Sequence, residues 1–334
     1  MGTLSDGQTT AGGSHDSVRR VTRFCVRIHH AGYTFGQLRR LWQTAERFGY
    51  DGVSLYDVLA RPALEVWTTL AALAASTRRI VAMPLVLDVG YRHPAMLAKM
   101  AAGLDQLTGG QRLILGLGYG GNPDDHRAYG FDWPVGVAER VARLEEQVQV
   151  MRALWRQPKA DFDGRWYALA NADGFATATP GGPPVLIASR GVRHGLGGVA
   201  RQADLSNVSF DLSPAEWQRY QRVIADHCAA AGRDPREVGL THNATVVIGT
   251  TRADAENRLD QLARSRHLTR EQARHGLANA LVGTPDEILE KLLEYRAAGV
   301  PLAWVFLLFP DLPSTRSMRL FAEDVLPAYR ASTG

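Results

Sequence analysis

Short apolar segments alternate with longer amphipathic segments along nearly the whole chain of 334 residues. Short, continuous apolar segments are typical of buried strands, whereas apolar positions that recur every three or four residues are typical of helices. Each predicted strand is followed by a predicted helix. The eight predicted strands are 24–28, 52–56, 80–87, 112–117, 185–188, 205–208, 241–248 and 302–308.

This alternation predicts an α/β fold, a (β/α)8 TIM barrel with insertions after strands 4 and 7. The insertions are a loop-rich stretch at 156–183 and a polar helical stretch at 252–280. A doubly wound open sheet is the alternative, but it would carry a glycine-rich dinucleotide motif after the first strand, and residues 29–33 do not form one. We expect a single barrel domain over 21–332, preceded by a flexible N-terminal tail over 1–20.

The composition excludes several classes of protein. The chain has 38 Lys and Arg against 34 Asp and Glu, so its net charge of +4 provides no basic surface for a nucleic acid. No stretch approaches the roughly 18 consecutive apolar residues of a membrane span, so we expect a cytoplasmic protein. Cys25 and Cys228 are too few for a metal cluster, and we expect both to pack as small buried side chains.

Ionisable side chains are concentrated at the carboxyl ends of the predicted strands, where a barrel of this type builds its active site. The catalytic candidates are His29 and His30 after the first strand, Asp57 after the second, and Tyr119, Asp125 and His126 after the fourth. Any one of them alone could equally be a helix cap or a solvated loop residue. Together they predict one functional cleft.

Two turns at these strand ends are suited to a ligand. Ser189-Arg190-Gly191-Val192 joins the fifth strand to a helix, and backbone N–H groups, a helix N-terminus and an Arg cation would together attract a phosphate. The segment 116–121 is dense in glycine, which lets a planar ring or a phosphate lie close to the backbone. It lacks the Lys and Ser/Thr of a triphosphate-binding loop.

Arg92 follows the third predicted strand. For its side chain we favour an ion pair with an acidic neighbour over a contact with a ligand.

Several stretches, in the same order, resemble the bacterial luciferase-like flavin and deazaflavin oxidoreductases. The matching stretches are 48–57, 64–74, 91–101, 115–118, 162–167, 282–287 and 321–327, and the similarity runs from about 22 to 330. Members of this family are (β/α)8 barrels that bind reduced flavin mononucleotide (FMN) or the deazaflavin coenzyme F420 at the C-terminal mouth. They commonly act on a small-molecule substrate and pair as homodimers, so the resemblance also implies a homodimer.

The resemblance further implies which residues hold the cofactor. The phosphate would lie on the turn after the fifth strand, and the ring would lie against the third strand. The Leu85–Val86 peptide bond of that strand, behind the ring, would be cis. The implied cofactor-binding residues are Leu85, Val86, Leu87, Asp88, Gly118, Ser189, Arg190, Gly191 and Val192.

Two departures from the family pattern limit what the resemblance implies. The family's deazaflavin-dependent sugar-phosphate dehydrogenases use a His at the end of strand two and a Glu after strand four as an acid–base pair. The matching positions here are Val58 and Gly121, which argues against that activity. Many relatives have Trp at the position of Gly121, so we expect a wider pocket beside the ring.

The leading hypothesis is a coenzyme F420-dependent oxidoreductase that transfers hydride between the cofactor and a small organic metabolite. Such a reaction needs orientation, a dry pocket and one group that handles a proton, and His29 or His30 suits that task because imidazole titrates near neutral pH. One alternative is a luciferase-like monooxygenase that uses reduced FMN and O2. Another is a non-catalytic flavin-binding barrel.

Overall fold

Parallel strands form a nearly closed ring in the computed structural model, which describes residues 21–134 and 136–333. The tail predicted over 1–20 lies outside the described residues. Within the described part, the strands are β1 (Arg23–Arg27), β2 (Gly52–Leu55), β3 (Val81–Pro84), β4 (Leu87–Asp88), β5 (Leu115–Gly118), β6 (Lys159–Asp163), β7 (Ala168–Asp173), β8 (Val185–Ala188), β9 (Leu205–Phe210), β10 (Gly239–Ile248), β11 (Leu281–Gly283) and β12 (Leu302–Leu308).

Helices cover the outside of the ring and connect successive strands. Across the same described ranges, they are α1 (Phe35–Arg47), α2 (Val66–Ser76), α3 (Pro94–Leu107), α4 (Pro123–Ala128), α5 (Val137–Arg156), α6 (Gly195–Gln202), α7 (Pro214–Ala230), α8 (Arg252–Ser265), α9 (Arg270–Gly276), α10 (Pro285–Ala297), α11 (Arg316–Leu320) and α12 (Leu326–Thr333). A π-helical turn, Phe321–Val325, joins α11 to α12. None of the described helices combines the length and apolar character needed to span a bilayer.

The strands of the ring follow the order β3-β2-β1-β12-β10-β9-β8-β5-β4, and every pair is parallel. β3 and β4 are two halves of the third predicted strand. A bridge between Ala82 and Leu113 connects β3 to the residues just before β5, where the ring closes. The predicted TIM-barrel fold is therefore confirmed.

The apolar pattern predicts one strand over 80–87, and the structure divides this stretch into β3 and β4. The chain leaves the ladder after Pro84 and rejoins it at Leu87. The Leu85–Val86 peptide bond between the two halves is cis, as the resemblance implies. Hydrophobic periodicity reports which face a residue occupies, and it carries no signal for such an interruption.

Three stretches that the sequence predicts to be loops or helices contain further secondary-structure elements. The predicted loop 118–133 holds the short helix α4, which Asn122 caps by accepting the Asp124 N–H. The predicted loop-rich stretch 156–183 holds an antiparallel hairpin of β6 and β7. The polar stretch 252–280 forms α8 and α9 and leads into β11, which pairs with β10. Six-residue α4 is too short to show helical periodicity, and the mostly exposed β7 carries alanines in place of strand-forming residues.

The interior of the ring is filled in layers, because alternate residues of each strand point inward. The inner apolar cluster consists of Cys25, Val81, Met83, Leu85, Ile114, Leu186, Leu205, Trp304 and Phe306. Two residues further along β1 from Cys25, the inward position is Arg27. The layer nearest the C-terminal mouth is therefore polar, whereas the layers below it are apolar.

Candidate active site

A cleft of about 520 Å³ opens at the carboxyl ends of the strands. Ten of the residues proposed from the sequence line this cleft: His29, Asp57, Val86, Leu87, Asp88, Gly118, Tyr119, Asp125, Ser189 and Arg190. Nine further lining residues are Val58, Ala60, Arg61, Tyr91, Gly120, Gly121, Asn122, Ala188 and Val208. The strand ends thus bring most of the sequence candidates together on one surface.

Five of the proposed residues do not line the cleft. Leu85 belongs to the apolar cluster inside the ring. His30 and His126 are both buried, with 1% of each residue exposed. Gly191 and Val192 continue the turn away from the cleft, and the Val192 carbonyl accepts a hydrogen bond from His227 Nε2 at 2.9 Å.

His29 and His30 lie on opposite sides of the chain, as neighbouring residues at a strand end do. The His29 ring lines the cleft and packs against the Tyr56 ring, with 4.9 Å between the ring centroids. The His30 ring is buried, and its Nε2 lies 2.9 Å from the Leu64 carbonyl oxygen. Of the two proton-handling candidates, only His29 has access to the cleft.

The environment of His29 favours its neutral form. Burial, followed by the positive charge of Arg61, lowers the pKa of the His29 imidazole below its ordinary value of 6.5. Both effects disfavour an imidazolium cation, because burial removes water and Arg61 adds repulsion. At neutral pH the His29 ring is therefore uncharged and able to accept a proton.

Asp57 is held in an ion pair at the side of the cleft. Its carboxylate receives both terminal nitrogens of Arg92, at 2.6 and 3.2 Å, and it also accepts the Asp88 N–H at 3.0 Å. Arg92 additionally pairs with Glu65 at 2.7 Å. This arrangement ties the loop after β2 to the end of β4, so the structural role favoured for Arg92 is confirmed.

Asp88 faces the cleft and is supported from behind by His126. Asp88 Oδ2 lies 3.0 Å from His126 Nε2, and Asp88 Oδ1 accepts the Gly90 N–H at 2.8 Å. The His126 ring packs between the rings of Tyr91 and Trp133, each with its centroid 4.7 Å away. His126 thus fastens the loop after β5 onto the end of β4 and reaches the cleft only through Asp88.

Tyr91 lies among the acidic groups of the cleft. Burial raises the pKa of the Tyr91 hydroxyl, and the nearby carboxylates of Asp88, Asp125 and Asp57 raise it further. A phenolate would therefore be disfavoured at this position, and the Tyr91 hydroxyl keeps its proton at physiological pH.

The glycines after β5 serve the packing of the barrel. A Cβ atom at Gly116 would lie 2.1 Å from the Pro84 carbonyl oxygen, and one at Gly118 would lie 2.8 Å from Val86 Cγ2. Side chains at these two positions would collide with the interrupted third strand. At Gly121, by contrast, no described atom lies within 4 Å of the Cβ position, so the cleft is open there.

The turn between β8 and α6 presents unused hydrogen-bond donors. Ser189 Oγ accepts the Gly191 N–H at 3.2 Å, which closes the turn. The N–H groups of Arg190 and Val192 find no acceptor among residues 21–134 and 136–333. Over the same ranges the exposed Arg190 guanidinium has no ion pair or hydrogen bond, although it lines the cleft. Donors and a cation without partners make this turn a suitable phosphate site.

Two arginines, one lining the cleft and one buried inside the ring, carry no motif that could identify them from sequence. Arg61 lies in the loop between β2 and α2, where nothing in the local sequence indicates that its side chain turns toward the mouth. Arg27 lies within the first predicted strand, and its position on the inner face is the one signal from which a functional role could be suspected.

Among the described residues, no group of His, Cys, Asp and Glu has the arrangement of a metal site. Cys25 and Cys228 are buried, as expected.

Comparison with known proteins relates this chain to known enzymes. The family model described as luciferase-like monooxygenase matches residues 20–301. A phthiodiolone/phenolphthiodiolone dimycocerosates ketoreductase of Mycobacterium sp. (strain JLS) is 32% identical over 261 residues, which is 74% of this chain and 66% of that protein. The chain therefore spans about two thirds of that relative's length.

Solved structures share the fold. A monooxygenase from Streptomyces bottropensis superimposes with a TM-score of 0.76 at 24% identity, covering 92% of this chain and 100% of the other. The coenzyme F420-dependent tetrahydromethanopterin reductase of Methanopyrus kandleri superimposes with a TM-score of 0.75 at 18% identity, covering 92% and 99%. A monooxygenase and a coenzyme F420-dependent reductase thus share this architecture.

Proposed function

The chain belongs to the luciferase-like monooxygenase family, and on that premise we propose that it is a coenzyme F420-dependent oxidoreductase. It would transfer hydride between the deazaflavin and a small organic carbonyl compound or the corresponding alcohol. The observation that carries this proposal is the cleft itself. It contains an exposed Arg190 that is unpaired among the described residues and suited to a phosphate, the apolar side chain of Val86, and an uncharged imidazole at His29.

The residues present fit a cofactor that combines a phosphate with a planar ring. Arg190 and the free N–H groups of the turn would hold the phosphate, because a guanidinium and backbone donors together satisfy its oxygens. The partly buried Val86 offers an apolar surface at the cleft against which the ring could lie. The open space beside Gly121 leaves room for a second molecule next to that surface.

When bound, reduced coenzyme F420 supplies the hydride, and the chain has to orient the substrate and manage one proton. His29 is the group proposed for the proton. In its neutral form it accepts a proton from an alcohol substrate during oxidation, and in its protonated form it returns that proton to a carbonyl oxygen during reduction. The open cleft lets solvent restore the protonation state of His29 between turnovers.

The carbonyl–alcohol chemistry is supported by the ketoreductase that matches this chain at 32% identity. Reduction of a ketone is a two-electron hydride transfer and needs no O2. The alternative, a reduced-FMN monooxygenase, would use the same phosphate site, and membership of the luciferase-like monooxygenase family favours it. The two proposals differ in whether O2 is consumed.

Anaerobic turnover tests the proposal. Purified protein is mixed with reduced coenzyme F420 and a panel of short-chain and branched ketones, and the absorbance of the oxidised coenzyme is followed. We expect ketone-dependent oxidation of the coenzyme without O2, and the alcohol as product by mass spectrometry. Substrate consumption that requires reduced FMN and O2 would contradict the proposal and support the monooxygenase.

A further inference from the structure

Arg27 is a buried cation without a carboxylate partner. Only 4% of the residue is exposed, at the mouth-side end of β1 inside the ring. Among residues 21–134 and 136–333, no Asp or Glu lies within ion-pair distance of its guanidinium. Burial accordingly lowers the pKa of Arg27, although a guanidinium remains charged at any physiological pH. A buried charge without a counter-charge is costly, and proteins rarely retain one without a use.

The partners of Arg27 are neutral. Its Nη1 donates to Asn243 Oδ1 at 2.5 Å, and its Nη2 donates to the Tyr56 hydroxyl oxygen. Its guanidinium also stacks on the rings of Phe210 and Tyr56, with distances of 4.4 and 4.8 Å to the ring centroids. These contacts offset part of the desolvation cost. The third guanidinium nitrogen, Nε, has no acceptor for its N–H in the described part of the chain.

The contact with Arg27 determines where the Tyr56 proton can point. A guanidinium only donates hydrogen bonds, so the Tyr56 oxygen must be the acceptor. The phenolic proton of Tyr56 is therefore directed elsewhere, and no described residue accepts it. A hydroxyl that accepts a hydrogen bond from a cation becomes a stronger donor through its own proton, because the two bonds polarise each other.

Tyr56 lies beside the cleft. It follows β2 directly, and its ring contacts that of His29, which lines the cleft. Arg27 and Tyr56 occupy the mouth-side layer of the ring, above the apolar cluster that includes Cys25 and Met83. Ala188 and Gly118, at the carboxyl ends of β8 and β5, also line the cleft. The partly exposed Tyr56 thus connects the buried Arg27 cation to His29, which lines the cleft.

We propose that Tyr56 is a catalytic residue that holds the substrate's carbonyl oxygen by a hydrogen bond, and that Arg27 is the positioning residue that directs and strengthens that bond. This proposal rests on the proposed function. Reduced coenzyme F420 would supply the hydride that forms the new C–H bond on the carbonyl carbon, and the C=O π pair would move to the oxygen. Tyr56 stabilises the developing negative charge, and His29 delivers the proton that completes the alcohol. In oxidation, the same groups act in reverse.

The variant Tyr56→Phe removes the hydroxyl and keeps the ring. We expect kcat for ketone reduction to fall by about 100-fold or more, with KM and the dissociation constant of the coenzyme within about threefold of wild type, because one oxyanion donor is lost. Tyr50→Phe is the matched control. It removes a buried hydroxyl that donates to the Met318 carbonyl at 2.8 Å, far from the cleft, and is expected to change thermal stability and leave kcat unchanged.

Two variants at position 27 distinguish a positioning role of Arg27 from a purely structural role. Arg27→Met is expected to lower kcat and leave KM unchanged. Arg27→Lys keeps a cation and is expected to recover a substantial part of the lost kcat.

A binding measurement accompanies these two variants. In protein loaded with oxidised coenzyme, isobutyrate, which carries a negative oxygen, should bind at least about tenfold more tightly than isobutyramide of the same shape, and Arg27→Met should abolish that preference.

Wild-type protein separates failure of this inference from failure of the proposed function. If the wild type neither binds coenzyme F420 nor reduces any ketone, the proposed function is wrong and this inference falls with it. If the wild type reduces ketones and Tyr56→Phe does so at an undiminished kcat, the inference alone is overturned. Equal losses of kcat in Tyr56→Phe and Tyr50→Phe, in proportion to lost thermal stability, would also overturn it, because they would indicate a structural role.

Discussion

Replacing Arg190 by glutamine is expected to weaken binding of coenzyme F420 by about 10- to 100-fold. Arg190 lines the cleft as a guanidinium without a partner among the described residues, so its charge is available to a phosphate. A hydrogen bond between two charged groups contributes about 1.5–3 kcal/mol, which corresponds to that loss of affinity. Fluorescence titration with the oxidised coenzyme measures the dissociation constant. The wild-type affinity should also fall with added salt, because the site is exposed.

Arg193→Gln is the matched control for Arg190→Gln. Arg193 lies in the same turn, is exposed, and does not line the cleft. We expect its substitution to change the dissociation constant by less than about twofold. A second control is a ligand: the deazaflavin chromophore without its phosphate should bind wild type and Arg190→Gln equally. Equal weakening by Arg190→Gln and Arg193→Gln would show that general positive charge, and not a phosphate site, governs binding.

Replacing His29 by phenylalanine is expected to lower kcat by about 100- to 10,000-fold, with little change in coenzyme affinity. Phenylalanine keeps the ring contact with Tyr56 and removes the group proposed to handle the proton. A positioned acid or base contributes an effect of about that size. Steady-state kinetics in both directions, combined with coenzyme titration, measures the loss.

The pH profile of the wild type tests the same role of His29. Because burial and Arg61 lower the pKa of His29 below 6.5, oxidation of an alcohol should rise with pH up to an inflection below 6.5 and remain constant above it. Reduction of a ketone requires protonated His29 and should decline above the same inflection. In His29→Phe both inflections should be absent. Arg61→Gln should shift the inflection upward, because a repelling charge is removed.

His30→Gln is the control for His29→Phe. His30 is buried beside the Leu64 carbonyl, and a glutamine amide can donate to that oxygen in its place. We expect a lower thermal unfolding temperature with the pH inflection unchanged. An inflection that persists in His29→Phe and disappears in His30→Gln would reverse the assignment and place the proton on His30.

Much of the barrel was predictable because its strands are buried on both faces. Strands β8 and β12 were predicted with the bounds that the structure has, since each is a continuous apolar segment ending at a polar turn. The apolar pattern did not predict the break between β3 and β4, because the residues on both sides of it are equally apolar. The hairpin of β6 and β7 was missed for the opposite reason, because most of its residues are exposed and only a few, such as Ala160 and Leu169, pack against the core.

The candidate site was partly predictable from topology. Parallel strands bring their carboxyl ends to one edge, which placed His29, Asp57, Ser189 and Arg190 around a common cleft. Sequence could not separate His29 from His30 without the inward direction of β1, and that direction is fixed only when the ring closes. The same uncertainty concealed Arg27 and its contact with Tyr56. Partners distant in sequence, such as Arg92 for Asp57 and Asp88 for His126, likewise required the folded chain.

Parallel titrations of the wild-type protein with coenzyme F420 and with FMN test the central claim most directly. Calorimetry or fluorescence quenching gives both dissociation constants under the same buffer and salt conditions. We predict micromolar or tighter binding of coenzyme F420, with FMN at least about tenfold weaker, a difference of about 1.4 kcal/mol. Tighter binding of FMN would contradict the deazaflavin assignment and support a monooxygenase, and binding of neither would contradict the phosphate site at Arg190.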